Sequence, residues 1–212
     1  MRLAMLGVSH PRLGGERLAT GRGRFVADVR PEGLLEAAVL RSPHAHARVL
    51  RVDAARALRL PGVRAVLTAA DVPASAVIPN RVPAPEGTAA YLQPAIARGV
   101  VRYVGEPVAL VVADDRYVAE DALALVHVDW APLPACASVA AALAPDAQRL
   151  FAGTDGNNVA TIRMQVGDAG AALAGARLVL HERFRHPRQT AAASRPAGSS
   201  PCRPTRAGAS ST

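Results

Sequence analysis

Lysine is absent from this chain, aromatic residues make up only 3% of its 212 residues, and it has just two cysteines. Each shortage excludes a class of protein. All 25 basic residues are arginine, a usage that reflects a GC-rich coding sequence rather than a selected binding surface. The arginines are scattered and few rings are available for stacking. The formal charge of +8 therefore does not describe a nucleic-acid binder, which needs a basic face interleaved with aromatics. Part of that charge belongs to the C-terminal tail, where Arg195, Arg203 and Arg206 have no acidic neighbour. Cys136 and Cys202 lie far apart and outside any C-x-x-C spacing, which excludes an internal disulfide framework and a cysteine-held zinc or iron–sulfur cluster. No apolar run approaches the ~20 residues of a membrane helix. The opening "MRLAMLGVSHPRLGG" has too short an apolar stretch for a signal peptide and no twin-arginine pair. The expectation is a reduced, soluble, cytoplasmic chain.

Half of the residues are hydrophobic, enough for one ordinary core. Residues 1–19 read as an extended leader, and "GRGRFVADV" as Gly-rich turn chemistry feeding a short strand. "LLEAAVLRS" (34–42) is an apolar run consistent with a strand buried on both faces, and "ARVLRVD" alternates apolar and basic residues up to Asp53. Asp53 can cap a short helix, "AARALRL", which Pro61-Gly62 ends; "VRAVLT" is the next strand. Pro73, Pro79, Pro83 and Pro85 crowd residues 69–91 and predict a surface loop. "VVRYVG" and "PVALVVADD" are strands broken by a Gly105-Glu106-Pro107 turn. Val118, Ala122, Leu125 and Val126 then recur at helical spacing, with Arg116 and Glu120 paired on the other face. "VHVDW" is a strand, and Ser138 caps a short helix. The order predicts a compact α+β domain ending near residue 143. Beyond the linker "FAGTDGNNVA", strands are expected at 159–166 and 176–186, around a small helix opened by Gly167-Asp168. Two strands and one short helix cannot enclose a core, so a second domain begins there without being finished.

"GRGRFVADV…LLEAAVLRSPHAHARVLRVDAARALRLPGVRAVLTAADV" followed by "VRYVGEPVALVVADDRYVAEDALALVHVDWAPLPA" resembles the N-terminal α/β-hammerhead domain of molybdenum hydroxylase large subunits. That family includes xanthine dehydrogenase, aldehyde oxidase and aerobic carbon monoxide dehydrogenase. The resemblance divides the chain into an N-terminal extension (1–19), a hammerhead domain (20–143), the start of a first molybdopterin-binding domain (144–190) and a tail (191–212). It implies oxidation of an aldehyde, an N-heterocycle or carbon monoxide in the intact enzyme. It also implies a molybdopterin-type molybdenum cofactor held by downstream domains, a catalytic Glu near the C-terminus, and 2Fe–2S and FAD on partner subunits or domains. None of those motifs occurs here, so no catalytic, cofactor-binding or metal-ligating residue is expected in this chain, and alone it should be inactive. A stand-alone hammerhead subunit of a split enzyme, acting in binding or assembly, is the alternative.

The tail is the other local shortage. From Gln189 to Thr212 there is no Leu, Ile, Val, Met, Phe, Tyr, Trp, Asp or Glu, directly after the well-patterned "GARLVLHERFRH". Family members resembling this chain continue with Leu/Met-Glu-Pro/Thr-Arg-Gly and an apolar strand. Rereading "ASRPAGSSPCRPTRAGA" in the frame shifted by two bases, with GC-rich third positions, gives Leu-Glu-Thr-Arg-Gly-Leu-Val-Ala-Val-Pro-Ala-Asp-Ala-Gly-Gly-Arg. A one- or two-base indel near the codons for Thr190 to Ala193 accounts for the change, and the residues after it are then left out of fold reasoning. A native low-complexity Ser/Pro/Arg tail is the competing account.

Few residues invite a chemical reading. His44 and His46 share a face if they lie on a strand, but two ligands are too few for zinc, and they read as ordinary histidines beside Arg41 and Arg48. His10, His127, His181 and His186 receive no role. Glu106 would serve as a general base if burial raised its pKa, although its place between Gly105 and Pro107 first suggests a turn. "GRGR" at 21–24 lacks the P-loop pattern, and "GDAGAALAG" at 167–175 lacks the preceding strand and glycine fingerprint of a nucleotide site.

Overall fold

The computed structural model describes residues 7, 9–80, 85–184, 186 and 189. The tail 191–212, with its frameshift reading and Cys202, lies outside the described residues. The chain divides into two units: Met1–Leu34 with Leu180–Thr212, and Leu35–Val179. In the first unit, a five-residue helix α1 (Gly15–Ala19) occupies part of what the sequence suggested was an extended leader. The short strand expected in "GRGRFVADV" is instead a 3₁₀ turn at Val26–Asp28. Its cause is local, because the Asp28 carboxylate accepts the Phe25 N–H at 2.8 Å and closes the turn.

The second unit holds two antiparallel three-stranded sheets. One orders β1 (Glu36–Arg41), β5 (Pro107–Ala113) and β3 (Val63–Thr68) with β5 in the centre. The other orders β4 (Val100–Val101), β2 (Ala47–Asp53) and β6 (His127–Pro132) with β2 in the centre. "VVRYVG" and "PVALVVADD" therefore do not pair with each other. The chain leaves β4 in one sheet, turns at Gly105 and enters β5 in the other.

Burial follows from this arrangement. β5 is flanked by strands on both edges and covered by the helix α2 (Arg116–Leu123), and Val108, Ala109, Val111 and Ala113 are no more than 1% exposed. This explains why its sequence is a continuous apolar run rather than an alternating one. The pairing of β1 with β5 slips by one residue between Leu40 and Arg41, which leaves Val108 as the extra residue. That bulge allows Val108 to join the core of the other sheet, with Ala47, Ala97 and Val101, while Val111 packs with Ala57, Ala122 and Val126. Val52 and Val128 touch both clusters and join them into one interior. A second slip between Val49 and Arg51 turns Leu50 outward, 64% exposed.

The helical readings hold in most details. Asp115 caps α2 by accepting the Tyr117 and Val118 N–H groups, and Arg116 reaches Glu120 at 2.7 Å. Ser138 caps α3 (Val139–Ala142), and Asp168 caps α4 (Ala169–Ala174). Gly62 has φ +91°, and a Cβ there would sit 3.2 Å from Val118 of α2. The Asp53 expectation fails in form: its carboxylate accepts the Ala55 N–H as a local turn, while the helix that follows is a 3₁₀ turn at Ala57–Arg59 with Arg56 at the N-cap position and no side-chain cap. The strands expected at 159–166 and 176–186 are absent; the described residues there have no ladder partner. Alternation marks a strand only where a neighbouring edge exists to pair with it, and here Ile162, Met164 and Val166 are 75%, 88% and 92% exposed.

Val111→Ala, at the centre of β5, should cost about 2–3 kcal/mol in chemical denaturation through lost burial and a cavity. Leu50→Ala on the outward bulge should stay within about 0.5 kcal/mol. Equal costs would mean that the two clusters are not the core.

Candidate functional site

The residue with the clearest chemical potential is Glu106, among the described residues the largest fully buried side chain, 1% exposed at the crossing between the sheets. Backbone geometry places it there. Gly105 adopts φ +94°, a left-handed conformation that suits glycine, and its N–H donates to the Ser42 carbonyl at 2.8 Å. Ser42 N–H returns the bond to the Glu106 carbonyl at 2.9 Å, and Arg41 Nη1 donates to the Gly105 carbonyl at 2.8 Å. The turn is thus stitched to the end of β1, and the carboxylate is carried inward.

Arg102 meets that carboxylate. Its backbone N–H donates to Glu106 Oε2 and its Nη1 lies 3.5 Å from Oε1. The Arg102 side chain is itself largely covered, 17% exposed. Its Nε donates to the Leu150 carbonyl at 2.9 Å and Nη1 to the Val100 carbonyl at 3.2 Å. The Phe151 ring lies over the guanidinium, 4.6 Å from ring centroid to Cζ. Phe151 in turn meets Tyr91 edge-on at 5.7 Å, and the Tyr91 hydroxyl donates to the Gly156 carbonyl at 3.1 Å.

Burial is the dominant influence on Glu106 and raises its pKa above the ordinary 4.5, while the Arg102 N–H, charge and side-chain hydrogen bond oppose it. Burial and then the Glu106 charge raise the neighbouring Tyr103 hydroxyl, with Arg41 acting against them. A raised carboxyl meets one condition for a general base; a substrate's access is the other. Both oxygens of Glu106 are engaged by Arg102 and the side chain is sealed from solvent, so the turn reading is the better one. A shallow depression of about 240 Å³ lies beside β2, lined by Val49, Val52, Ala69, Ala97 and Val108 among others; Glu106 does not line it.

The histidines are placed as neighbours of backbone and rings. His44 and His46 lie in the bend before β2 rather than on a strand. His46 is buried with Nδ1 at 2.7 Å from the Pro134 carbonyl, and His44 packs edge-on to Trp130 at 5.2 Å. His127 contacts Asp129 at 3.0 Å on the surface, and His10, His181 and His186 are exposed. Sequence reasoning missed Arg102, Tyr91 and Phe151. The signals available were an arginine four residues before a glutamate across a turn, and a rare phenylalanine in what read as a linker.

The comparisons agree with this architecture. Residues 20–134 match the model of the aldehyde oxidase and xanthine dehydrogenase a/b hammerhead domain. The nicotine 6-hydroxylase large subunit of Paenarthrobacter nicotinovorans is 42% identical over 125 residues, which is 59% of this chain and 15% of that protein. The carbon monoxide dehydrogenase large chain of Afipia carboxidovorans is 40% identical over 149 residues, 70% of this chain and 18% of that protein. Quinoline 2-oxidoreductase from Pseudomonas putida 86 superposes with a TM-score of 0.63 at 44% identity, over 73% of this chain and 20% of that one. The chain belongs to the aldehyde oxidase and xanthine dehydrogenase family through its α/β-hammerhead domain, and the relatives it matches are large subunits of molybdenum hydroxylases. It spans a fifth or less of the length of these three proteins.

The family implies a molybdenum cofactor. Among the described residues no three His, Cys, Asp or Glu side chains converge as a metal-binding group, and Glu106 is committed to Arg102.

The raised Glu106 sets a pH dependence. The fold favours the protonated acid, so its contribution to stability is full below about pH 4.5 and is lost as pH rises through the folded pKa. Glu106→Gln stays neutral throughout. Thermal melts from about pH 4 to about pH 8 should show the wild-type Tm falling relative to the variant as pH rises. Parallel curves would mean that the ionised carboxylate is not penalised by burial.

Proposed function

We propose that this chain forms the hammerhead lobe of a molybdenum hydroxylase large subunit whose assembled enzyme oxidises an aldehyde, an N-heterocycle or a carbon-monoxide-type substrate. In this reading the lobe is scaffold: other parts of the assembly hold a molybdopterin-type cofactor, and iron–sulfur and flavin subunits or domains carry electrons away. The complex works in the cytoplasm; among the described residues no helix is long and apolar enough to cross a membrane. The observation that carries the proposal is the hammerhead match over residues 20–134, coupled with a donor set in which the one buried carboxylate among the described residues is neutralised by an arginine and closed to substrate.

The chain alone is then inactive. Purified as it stands, it should contain far less than stoichiometric molybdenum by elemental analysis and reduce no dye with aldehydes or N-heterocycles. Stoichiometric molybdenum or turnover would overturn the proposal. Reading the gene beyond the codon for His186 separates two forms of it. A frame resuming with Leu-Glu-Thr-Arg-Gly supports a longer large subunit, whereas a stop codon, spacer and new start would make the lobe a separately encoded subunit.

A further inference from the structure

Residues 148–157 are held chiefly by their own hydrogen bonds, with one tie back to the end of α3. The Asn157 side chain staples the two ends: its Oδ1 accepts the Leu150 N–H at 2.9 Å and its Nδ2 donates to the Gln148 carbonyl at 3.0 Å and the Ala142 carbonyl at 3.2 Å. The buried Thr154 hydroxyl lies 2.8 Å from the Phe151 carbonyl and 3.1 Å from that of Gly156, which fixes the middle. This is a compact surface loop packed by its own side chains.

The loop's ties to the sheets are few and chemically distinct. Arg102 grips it twice, by a charge-assisted hydrogen bond to the Leu150 carbonyl and by its cation under Phe151. Tyr91 adds a ring contact and one hydrogen bond, and the Cys136 thiol a weak one to the Gln148 carbonyl at 3.8 Å. Arg102 is in turn aimed by Glu106, whose carboxylate occupies the other side of the guanidinium from inside the crossing turn.

We infer that Glu106 and Arg102 form a latch that docks the loop 148–157 on the sheet junction, so that the loop opens as one unit when the latch is released while both sheets remain folded. The sheets lose no ladder bond when the loop leaves, and the freed segment, held then only by its own few hydrogen bonds, opens its Arg149–Leu150 bond to a protease. Glu106 acts here as a positioning residue. The inference concerns this chain's own contacts and does not depend on the functional reading above.

The arginine-rich sequence supplies its own probe. Arg149 is exposed immediately before the gripped Leu150, whereas Arg51 and Arg64 lie within β2 and β3 and report on the sheets. Limited trypsin digestion of the full chain, followed by mass spectrometry, measures cleavage at each. A charged hydrogen bond and a cation–π contact together predict that Arg102→Met cleaves after Arg149 about tenfold faster or more, well beyond any rise after Arg51 and Arg64 caused by leaving Glu106 without its partner. Phe151→Leu removes the grip from the loop side, leaves the sheet core untouched and should give the same selective increase. Arg102→Lys keeps a positive charge near Glu106 but loses the fork, so it should also open the loop. Cleavage after Arg149 that stays at the wild-type rate in Phe151→Leu, or that rises only together with Arg51 and Arg64, overturns the latch.

Discussion

A carboxylate buried at a sheet crossing organises this domain. Glu106 lies where the chain passes from the β4 sheet to the β5 sheet, and an isolated charge there would cost several kcal/mol. Arg102 answers that cost with its own backbone N–H and its guanidinium. The arginine is covered in turn, so its remaining donors need acceptors, and they find the carbonyls of Val100 and Leu150. One buried acid therefore dictates the end of one strand, the start of another and the docking of a loop nearly fifty residues later in the chain.

The same junction shows why the two sheets make one interior. A regular β5 would alternate strictly between faces, and its first residues could not serve both cores. The extra residue at Val108 changes the side to which the strand presents its side chains. Val108 then fills the space beside Val101, while Val111 serves the cluster under α2. Val52 and Val128 bridge the clusters from the other sheet, so the sheets are locked by packing as well as by the crossing turn.

How much of this was legible depended on whether the cause was local. The six strands, the cap at Ser138, the Arg116–Glu120 pair and the turn at Gly105 follow from short-range chemistry, and the sequence displays all of them. The family resemblance rested on those same segments and is supported by the match over residues 20–134. What the sequence did not display was partnership. Nothing in "VVRYVGEPVALVVADD" says that its two strands belong to different sheets, because adjacent strands joined by a tight turn more often pair. Nothing in "FAGTDGNNVA" says that Phe151 will lie over an arginine. The misread 3₁₀ turn at Val26–Asp28 is a different failure, in which an aspartate side chain competed with the backbone ladder and won.

The segment after residue 158 makes the same point from the opposite side. Ile162, Met164 and Val166 carry the period of a strand with one apolar face, and α4 has the cap and composition of a helix. Alternation, however, encodes only a willingness to pair. A strand's backbone donors and acceptors are satisfied by another strand, and its apolar face is stabilised only when something covers it. Within Leu35–Val179 the edges next to β1, β3, β4 and β6 do not take this segment up, and its apolar side chains remain in water. The loop at 148–157 differs because its polar groups are satisfied internally by Asn157 and Thr154, leaving only a small surface for Arg102 and Tyr91 to hold. The boundary between what packs on the domain and what does not thus falls where self-satisfied hydrogen bonding ends, rather than where hydrophobicity does.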